Sequence, residues 1–395
     1  MKVVKPVPKL RFKQENGEEL AEWKECTLGA ITEVRKGAGL SKSALCEDGQ
    51  YPCILYGELF TCYQERILEI RSFTNTKTCV VGKLGDVLMP TSDVTPDGLA
   101  TASVLMLHDV LLGSDINVIR LTDQTDPVFF CYLLNYCTWE IIRLVSGTTV
   151  KHIYPKDIKL VRLVIPESVT EQQKIAGFLT AIDDRIESLE QKKKLLEQYK
   201  QGLMQKLFNR ELRFKDEGGE EFAEWKTKRL EDLFQIKAGG DIDKEHFQRR
   251  RDEIYRYPVY ANSEKLNGLH GYSDIYRVDC NCITVTGRGT LGIAIPRFEP
   301  FYPIVRLLLL FPILRCSLIF FSYAINRLNI FNESTGVPQL TAPQLRTYRI
   351  SFPSLDEQQR IANFLTAIDH KIEMVNNQIE KTQSFKQGLL QQLFV

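Results

Sequence analysis

Thirteen residues are spelled almost identically at two places: EQQKIAGFLTAID at 171–183 and EQQRIANFLTAID at 357–369. The likeness continues without a gap. Residues 171–208 and 357–394 match at 20 of 38 positions, and both copies close on KQGL and then LF. Each copy opens with a helix-start signal. A proline lies just upstream (Pro166, Pro353), an N-cap residue type follows (Thr170, Asp356), and a glutamine three residues on (Gln173, Gln359) completes the spacing of a capping box. Apolar residues then recur at alternating steps of four and three, through Ile175, Leu179, Ile182, Ile186 and Leu189 in one copy and Ile361, Leu365, Ile368, Ile372 and Val375 in the other. This is a heptad seam sustained for about five heptads, which predicts long helices packed against other helices. At 1.5 Å per residue each would extend roughly 55–60 Å. Lys193, Lys200 and Lys386 fall on the seam, where a polar residue costs stability but fixes register. Phe178 and Phe364 sit just beside it and widen the apolar stripe. The wider stripe serves either a separate protein as well as the sister helix, or the intramolecular core alone.

A second repeat accompanies the first. LRFKQENGEELAEWK at 10–24 recurs as LRFKDEGGEEFAEWK at 212–226, followed by a leucine (Leu28, Leu230) and by KGAG at 36–39 or KAGG at 237–240. One unit therefore occurs twice: a lead-in segment, a divergent domain, then a long helix. The first helix runs straight into the second LRFK, whereas the second helix ends the sequence. This is the pattern of a ring cut open once, and it predicts neighbouring termini and a pseudo-two-fold relation between the halves.

The divergent stretches, 43–166 and 245–353, differ in wording but keep one order of features. Each opens on Tyr-Pro before a strand (Tyr51-Pro52, Tyr257-Pro258) and continues with short strand-like runs, KLGDVLMP at 83–90 and CITVTGRGTLGIAIP at 282–296. An apolar helix follows, expected over 129–145 and 318–331, then a polar turn, SGTTVKHI at 146–153 or NESTGVPQL at 332–340. Two unlike things held on one repeated scaffold have this form.

Composition sets few further limits. The chain of 395 residues has room for two or three domains, and its net charge of +1 neither supports nor excludes DNA as a partner. The longest apolar run, Ile304 to Ile313, contains Arg306 and Pro312 and is far shorter than the ~18 residues of a membrane span. MKVVKPVPKLRF at the start has no apolar stretch of a secretory signal, so a cytoplasmic protein is expected. The ten cysteines include no CxxC pair, and only Cys280 and Cys282 suggest a two-thiolate ligand set; scattered histidines give it no partners, so buried free thiols and no metal are expected.

Signals for an enzyme are poor. Gly287, Gly289 and Gly292 form GxGxxG, but a second strand rather than a helix should follow, which makes a tight hairpin with Arg288 at its tip. GAGLSKS at 37–43 lacks the glycine a phosphate loop needs before its lysine. There is no Pro-Pro dipeptide, hence no Asn/Asp-Pro-Pro-aromatic methyltransferase motif, and no HExxH or GxSxG. No active site and no cofactor are expected.

Taken together, EQQ[KR]IA-x-FLTAID, KQGL[ML]Q[KQ]LF, LRFK…EWK and the turns SGTTVKHI and STGVPQL resemble the specificity subunit of Type I restriction–modification systems, over essentially the whole chain. The resemblance implies two target-recognition domains on double-stranded DNA, each reading one half of a bipartite asymmetric target. It also implies that the long helices act as spacer and as docking surface for two methyltransferase (modification) subunits. By the same resemblance, restriction subunits are expected to join in the full complex, which would hold the N6-adenine methyltransferase and endonuclease activities not expected of this chain. The fold expected is α/β (α+β): two recognition domains of short strands plus helices, separated by two long antiparallel coiled-coil helices. The expected division is an N-terminal shared segment 1–42, recognition domain 43–166, long helix 167–210, second lead-in 211–244, recognition domain 245–353 and long helix 354–395.

DNA readout needs side chains on a rigid scaffold that reach base edges and phosphates. Candidates are Ser41, Lys42, Thr148, Thr149, Lys151 and His152 in the first domain, and Arg249, Arg250, Arg251, Asn262, Arg288, Thr335 and Gln339 in the second. The arginine run is alternatively an exposed helix face. The second turn lacks counterparts of Thr148 and Thr149 and carries Pro338, so contacts do not transfer one for one. Candidates for partner docking are Phe178, Leu179, Ile182, Ile186, Phe364, Leu365, Ile368 and Ile372. Half-sites about one turn of DNA apart, roughly 34 Å, fit such a ruler, and lengthening the first helix should change the spacer. The rival readings are a coiled-coil scaffold without nucleic acid and a stand-alone enzyme.

Overall fold

The computed structural model describes residues 7–14, 16–18, 20–77, 80–330 and 339–394. They form two compact units. Met1–Glu190 joins Asn377–Val395 in one, and Gln191–Asn376 makes the other. Each unit therefore owns one divergent domain, one LRFK lead-in and a piece of both long helices. The helices run Val169–Phe208 and Leu355–Leu393, 40 and 39 residues.

Within each unit the two helical pieces are antiparallel. In the first, Leu389, Leu393 and Phe394 from one helix end share a buried cluster with Ile175, Leu179 and Ile182 from the other helix start. In the second, Lys193 Nζ donates to Asn376 Oδ1 at 2.6 Å and Lys200 pairs with Asp369, so one number rises by seven as the other falls by seven. Lys386 does the same in the first unit, 2.7 Å from Asp183 and 2.8 Å from Glu65. The seam lysines are thus register locks, each meeting an amide or carboxylate that a one-residue slip would remove.

The helix starts differ from expectation. They fall at Val169 and Leu355, so Thr170 and Asp356 are helical residues; Ser168 Oγ accepts the Glu171 N–H at 3.3 Å. Gln359 spends its side chain on Asn363 rather than on a cap. The neighbouring glutamine has the larger role. Gln172 donates to the Pro166 carbonyl at 2.9 Å and accepts the Asp126 N–H at 2.7 Å; Gln358 donates to Pro353 at 3.0 Å and accepts the Ser317 N–H at 3.0 Å. Asp126 and Ser317 in turn cap the apolar helices of the two heads. One glutamine in each repeat therefore ties a long helix to a head helix.

The heads share a common core of strands, to which the first adds an edge strand in each sheet. In the first, Thr32–Lys36, Ile116–Leu121, Val87–Pro90 and Ser103–Leu105 lie side by side, all antiparallel, with Arg66–Ile67 added at the edge. In the second, Phe234–Ala238, Leu308–Pro312, Cys282–Val285 and Ala294–Arg297 repeat that order and direction. A smaller sheet recurs too: Tyr51–Ile54 pairs parallel with Val110–Leu112 and antiparallel with Ser72–Thr74, as Tyr257–Tyr260 does with Tyr302–Pro303 and Leu269–Ser273. Lead-in strands Trp23–Thr27 and Lys226–Arg229 pair with the strands that precede the long helices, Arg162–Pro166 and Arg349–Phe352.

The apolar head helices are shorter than their composition suggested. They span Pro127–Tyr136, with a separate turn at Thr138–Ile142, and Leu318–Ile325. An asparagine near each end ties the helix to a neighbouring strand. Asn135 exchanges two hydrogen bonds with the Ala102 backbone (2.8 and 3.0 Å), and Asn326 does so with Ala294 (2.7 and 3.0 Å), so both side chains complete the edge of a strand.

The segments next to the two termini meet, as the cut ring predicts. The Leu10 N–H donates to the Gln392 carbonyl at 2.9 Å, across the chain ends of the first unit. Its counterpart in the second unit, Leu212 N–H to Lys206, is made at 3.2 Å within continuous chain. The described cysteines are free thiols; burial raises Cys282 to about 12, whereas Cys280 is exposed and precedes the strand. No helix among the described residues is long and apolar enough to cross a membrane.

Candidate nucleic-acid interface

What the repeated letters do is visible in two clamps made twice. Arg11 forks onto Glu171 at 3.1 and 2.8 Å and also donates to the Leu20 and Ala21 carbonyls. Arg213 repeats every bond: 3.2 and 2.9 Å to Glu357, plus Phe222 and Ala223. Both carboxylates are wholly buried, so the R of LRFK and the first E of EQQ must pair. The second clamp joins head to helix. Tyr132 donates to Asp183 at 2.5 Å while Lys386 lies over its ring; Tyr323 donates to Asp369 while Lys200 lies over its ring. Burial first, then the carboxylate, pushes both phenols far above their ordinary value. Tyr132 and Asn135, like Tyr323 and Asn326, are spaced i, i+3 on one helix face (YLLN, YAIN), a shared signal that the divergent wording around it hides.

These clamps fix the sheet against the helix, and the DNA candidates lie on other segments of the heads. Ser41 and Lys42 start a short 3-10 helix (Lys42–Ala44) and line a groove with Tyr56, Gly57 and Ser114. Thr148 and Thr149 are exposed in the turn that returns as the strand Lys151–His152. That strand pairs antiparallel with Ser92–Asp93, a segment that sequence reasoning missed because two-residue strands leave no periodicity. In the second head, Arg249, Arg250 and Arg251 lie exposed on an irregular loop, not on a helix face. Asn262 is partly engaged within the head: its amide donates to the Val305 carbonyl at 2.6 Å and accepts the Gly287 N–H at 2.7 Å. Arg288 bridges antiparallel to Gln339, while Thr335 and Pro338 lie outside the described residues. The GxGxxG stretch is the expected hairpin, Cys282–Val285 against Ala294–Arg297.

Half of the docking candidates are corrected by burial. Leu179 and Leu365 are fully buried, and Ile182 and Ile368 nearly so, within the cores of their own units. Phe178 and Phe364 meet the phenylalanine of LRF edge-on, Phe12 at 5.9 Å and Phe214 at 5.6 Å. Ile186 and Ile372 are half-buried. Periodicity located the stripe, but head, lead-in and sister helix together cover it. The apolar residues left exposed on the helices include Tyr199 and Phe385, which occupy the same position in the two repeats and are 56% and 55% exposed.

The comparisons with known proteins agree with this construction. The family model described as the type I restriction modification DNA specificity domain matches twice, over residues 21–198 and 223–383. The chain belongs to the type I restriction–modification DNA specificity family. A putative type I specificity subunit of Mycoplasma pneumoniae is 32% identical over 191 residues, 48% of this chain and 51% of that protein. The MjaVIII specificity subunit of Methanocaldococcus jannaschii is 22% identical over 96% of this chain and 95% of its own. The chain spans about half the length of three Mycoplasma pneumoniae relatives that it matches, 51%, 45% and 44%. The solved structure of an S subunit from M. genitalium has the same fold, with a TM-score of 0.69 over 99% of both chains at 17% identity. Two matches to one domain are the internal repeat, seen from outside.

Proposed function

We propose that this specificity-family chain is the DNA-reading subunit of a type I restriction–modification complex, with residues 43–166 and 245–353 as its recognition domains. One observation carries the reading: two heads repeat one core of strands in the same order and direction, while the side chains on them differ. Equal scaffolds with unlike tips suit two half-sites of an asymmetric target. Ser41, Lys42, Thr148, Thr149, Lys151 and His152 remain the DNA-facing set of the first head, and Arg249, Arg250, Arg251, Arg288 and Gln339 that of the second. Graded-salt binding to duplex DNA tests this. Affinity of the chain with its modification subunits should fall steeply, by about 10³-fold or more between 50 and 200 mM salt if six or more phosphates are contacted. A scaffold without nucleic-acid function would show no DNA binding at any salt.

The long helices serve in this reading as spacer and as docking face for modification subunits. Tyr199 and Phe385 are the docking positions the burial pattern favours, in place of the buried leucines and isoleucines. The register locks also change how the ruler should be tested. Lengthening the first helix alone would break Lys193–Asn376 and Lys200–Asp369. One heptad added to both helices keeps the seam and adds about 10 Å, roughly three base pairs. The methylated target should then carry a spacer longer by about that amount. An unchanged spacer would show that the helices do not set it.

A further inference from the structure

The two heads can be aligned residue by residue through their hydrogen bonds, and the alignment isolates one pair of positions. Val87 pairs with Ile119 as Ile283 pairs with Leu310, which makes Thr91 the counterpart of Gly287 and Ser92 that of Arg288. An independent bond gives the same answer. The Ile153 N–H donates to the Thr91 carbonyl at 3.0 Å, and the Leu340 N–H donates to the Gly287 carbonyl at 2.9 Å. One residue further out, His152 stands opposite Ser92, and Gln339 stands opposite Arg288. The polar turns that recur in both heads therefore deliver one residue each to the same place, against the tip that follows the same central strand.

Both tips have a backbone that is fixed by its own bonds. Thr286, almost fully buried, ties the second tip together: its N–H donates to Ile293 and its hydroxyl donates to Thr290 at 2.5 Å and accepts the Ile293 N–H at 2.9 Å. A Cβ on Gly287 would come within 2.8 Å of the Leu340 carbonyl, so the close crossing of the two segments requires glycine there. In the first head the His152 ring stacks on Tyr154 with centroids 5.9 Å apart and planes 12° from parallel. Asp93 is consumed by its own turn, accepting from the Val94 N–H and the Thr95 hydroxyl, whereas Ser92 and His152 face each other across the strand pair and are half-buried. Structural arginines such as Arg120, Arg213, Arg297 and Arg346 spend their guanidinium groups on internal partners; Arg288 is not among them.

Resting on the DNA-reading function above, we infer that this cross-strand pair is the base-reading position of each head, with Arg288 reading a guanine and Gln339 an adjacent base of the second half-site, and Ser92 with His152 reading the equivalent place in the first. The chemistry supports the assignment. An arginine fork spans guanine O6 and N7, and a glutamine amide spans adenine N6 and N7, in the major groove. The backbone beneath the pair is fixed before binding, so the ordering cost is confined to the side chains themselves.

The test uses the full chain with its modification subunits and duplexes carrying the motif that the wild-type complex methylates. Each base pair of both half-sites is varied in turn, with wild type, Arg288→Ala, Arg288→Lys and the double exchange Arg288→Ser with Gln339→His. Arg288→Ala should lose about 5- to 150-fold discrimination at one guanine-containing pair of the second half-site, with the first half-site unchanged. Arg288→Lys should not restore it, because a lysine has no fork. The double exchange should alter the second half-site alone. Weakening spread evenly over all sequences and rescued by lysine would mean a phosphate contact, and unchanged discrimination would mean no contact; either overturns the inference. If the wild-type complex methylates no split motif, the DNA-reading function itself fails, whatever the variants do.

Discussion

Replacing Arg213 by alanine is expected to lower the stability of the unit formed by residues 191–376 by about 3 kcal/mol. The reason is what stays behind. Glu357 is wholly buried and holds the fork of Arg213 at 3.2 and 2.9 Å, so truncation leaves a carboxylate with no countercharge and frees two carbonyls, of Phe222 and Ala223, from their donor. Arg213→Lys should recover only part of the loss, since an ammonium cannot bond both oxygens and both carbonyls in that geometry. The double change Arg213→Ala with Glu357→Ala should be milder than the sum of the single changes, because no orphan charge remains. Trp225, the one tryptophan of this unit, reports the urea midpoint by fluorescence. Arg11→Ala should cost the first unit about as much, for the pair with Glu171 is built from the same bonds.

The second expectation concerns two lysines at one repeat position. Lys386→Ala should cost about 3 kcal/mol and Lys200→Ala only about 1 kcal/mol. Lys386 lies between Glu65 at 2.8 Å and Asp183 at 2.7 Å, all three mostly buried. Burial pulls its ammonium down, but the two carboxylates outweigh that, and its pKa lies above the ordinary lysine value. Its contribution is therefore complete below pH ~10.4 and lost as pH rises through the raised value. Lys200 meets Asp369, which is 41% exposed, and solvent screens that pair. The asymmetry arises in the heads. The edge strand Arg66–Ile67 brings Glu65 and Arg66 to the first helix, and the described part of the second head has no such strand in its larger sheet. Equal losses for the two variants would show that Glu65 contributes nothing to the lock.

Much of this architecture was legible before any coordinates. Heptad spacing located both long helices, the two repeats implied the cut ring, and the order of strand, helix and turn implied two like heads. What stayed hidden has physical causes. A seam pattern says that Leu179 and Ile368 must be covered but not by what, so core residues passed for a docking face. Thr170 and Ser168 are both N-cap types, and only the hydrogen bond at Ser168 decides between them. Asn262 looks like a free amide in sequence, since its partners, Gly287 and Val305, lie 25 and 43 positions away. The Arg–Glu pairs were present in every quoted repeat, yet 160 and 144 residues separate the partners, and one chain without pairing information cannot join them.

The central claim is that two copies of one scaffold read two unlike half-sites. A genome-wide map of methylated bases, made in cells with and without this chain while the modification subunit is kept, tests it most directly. The account predicts one split, asymmetric motif with an unread spacer that is present only with the chain, and whose second half alone changes when residues 245–353 are exchanged for those of a relative. A map that is identical with and without the chain, or a motif whose both halves change on that exchange, would contradict it.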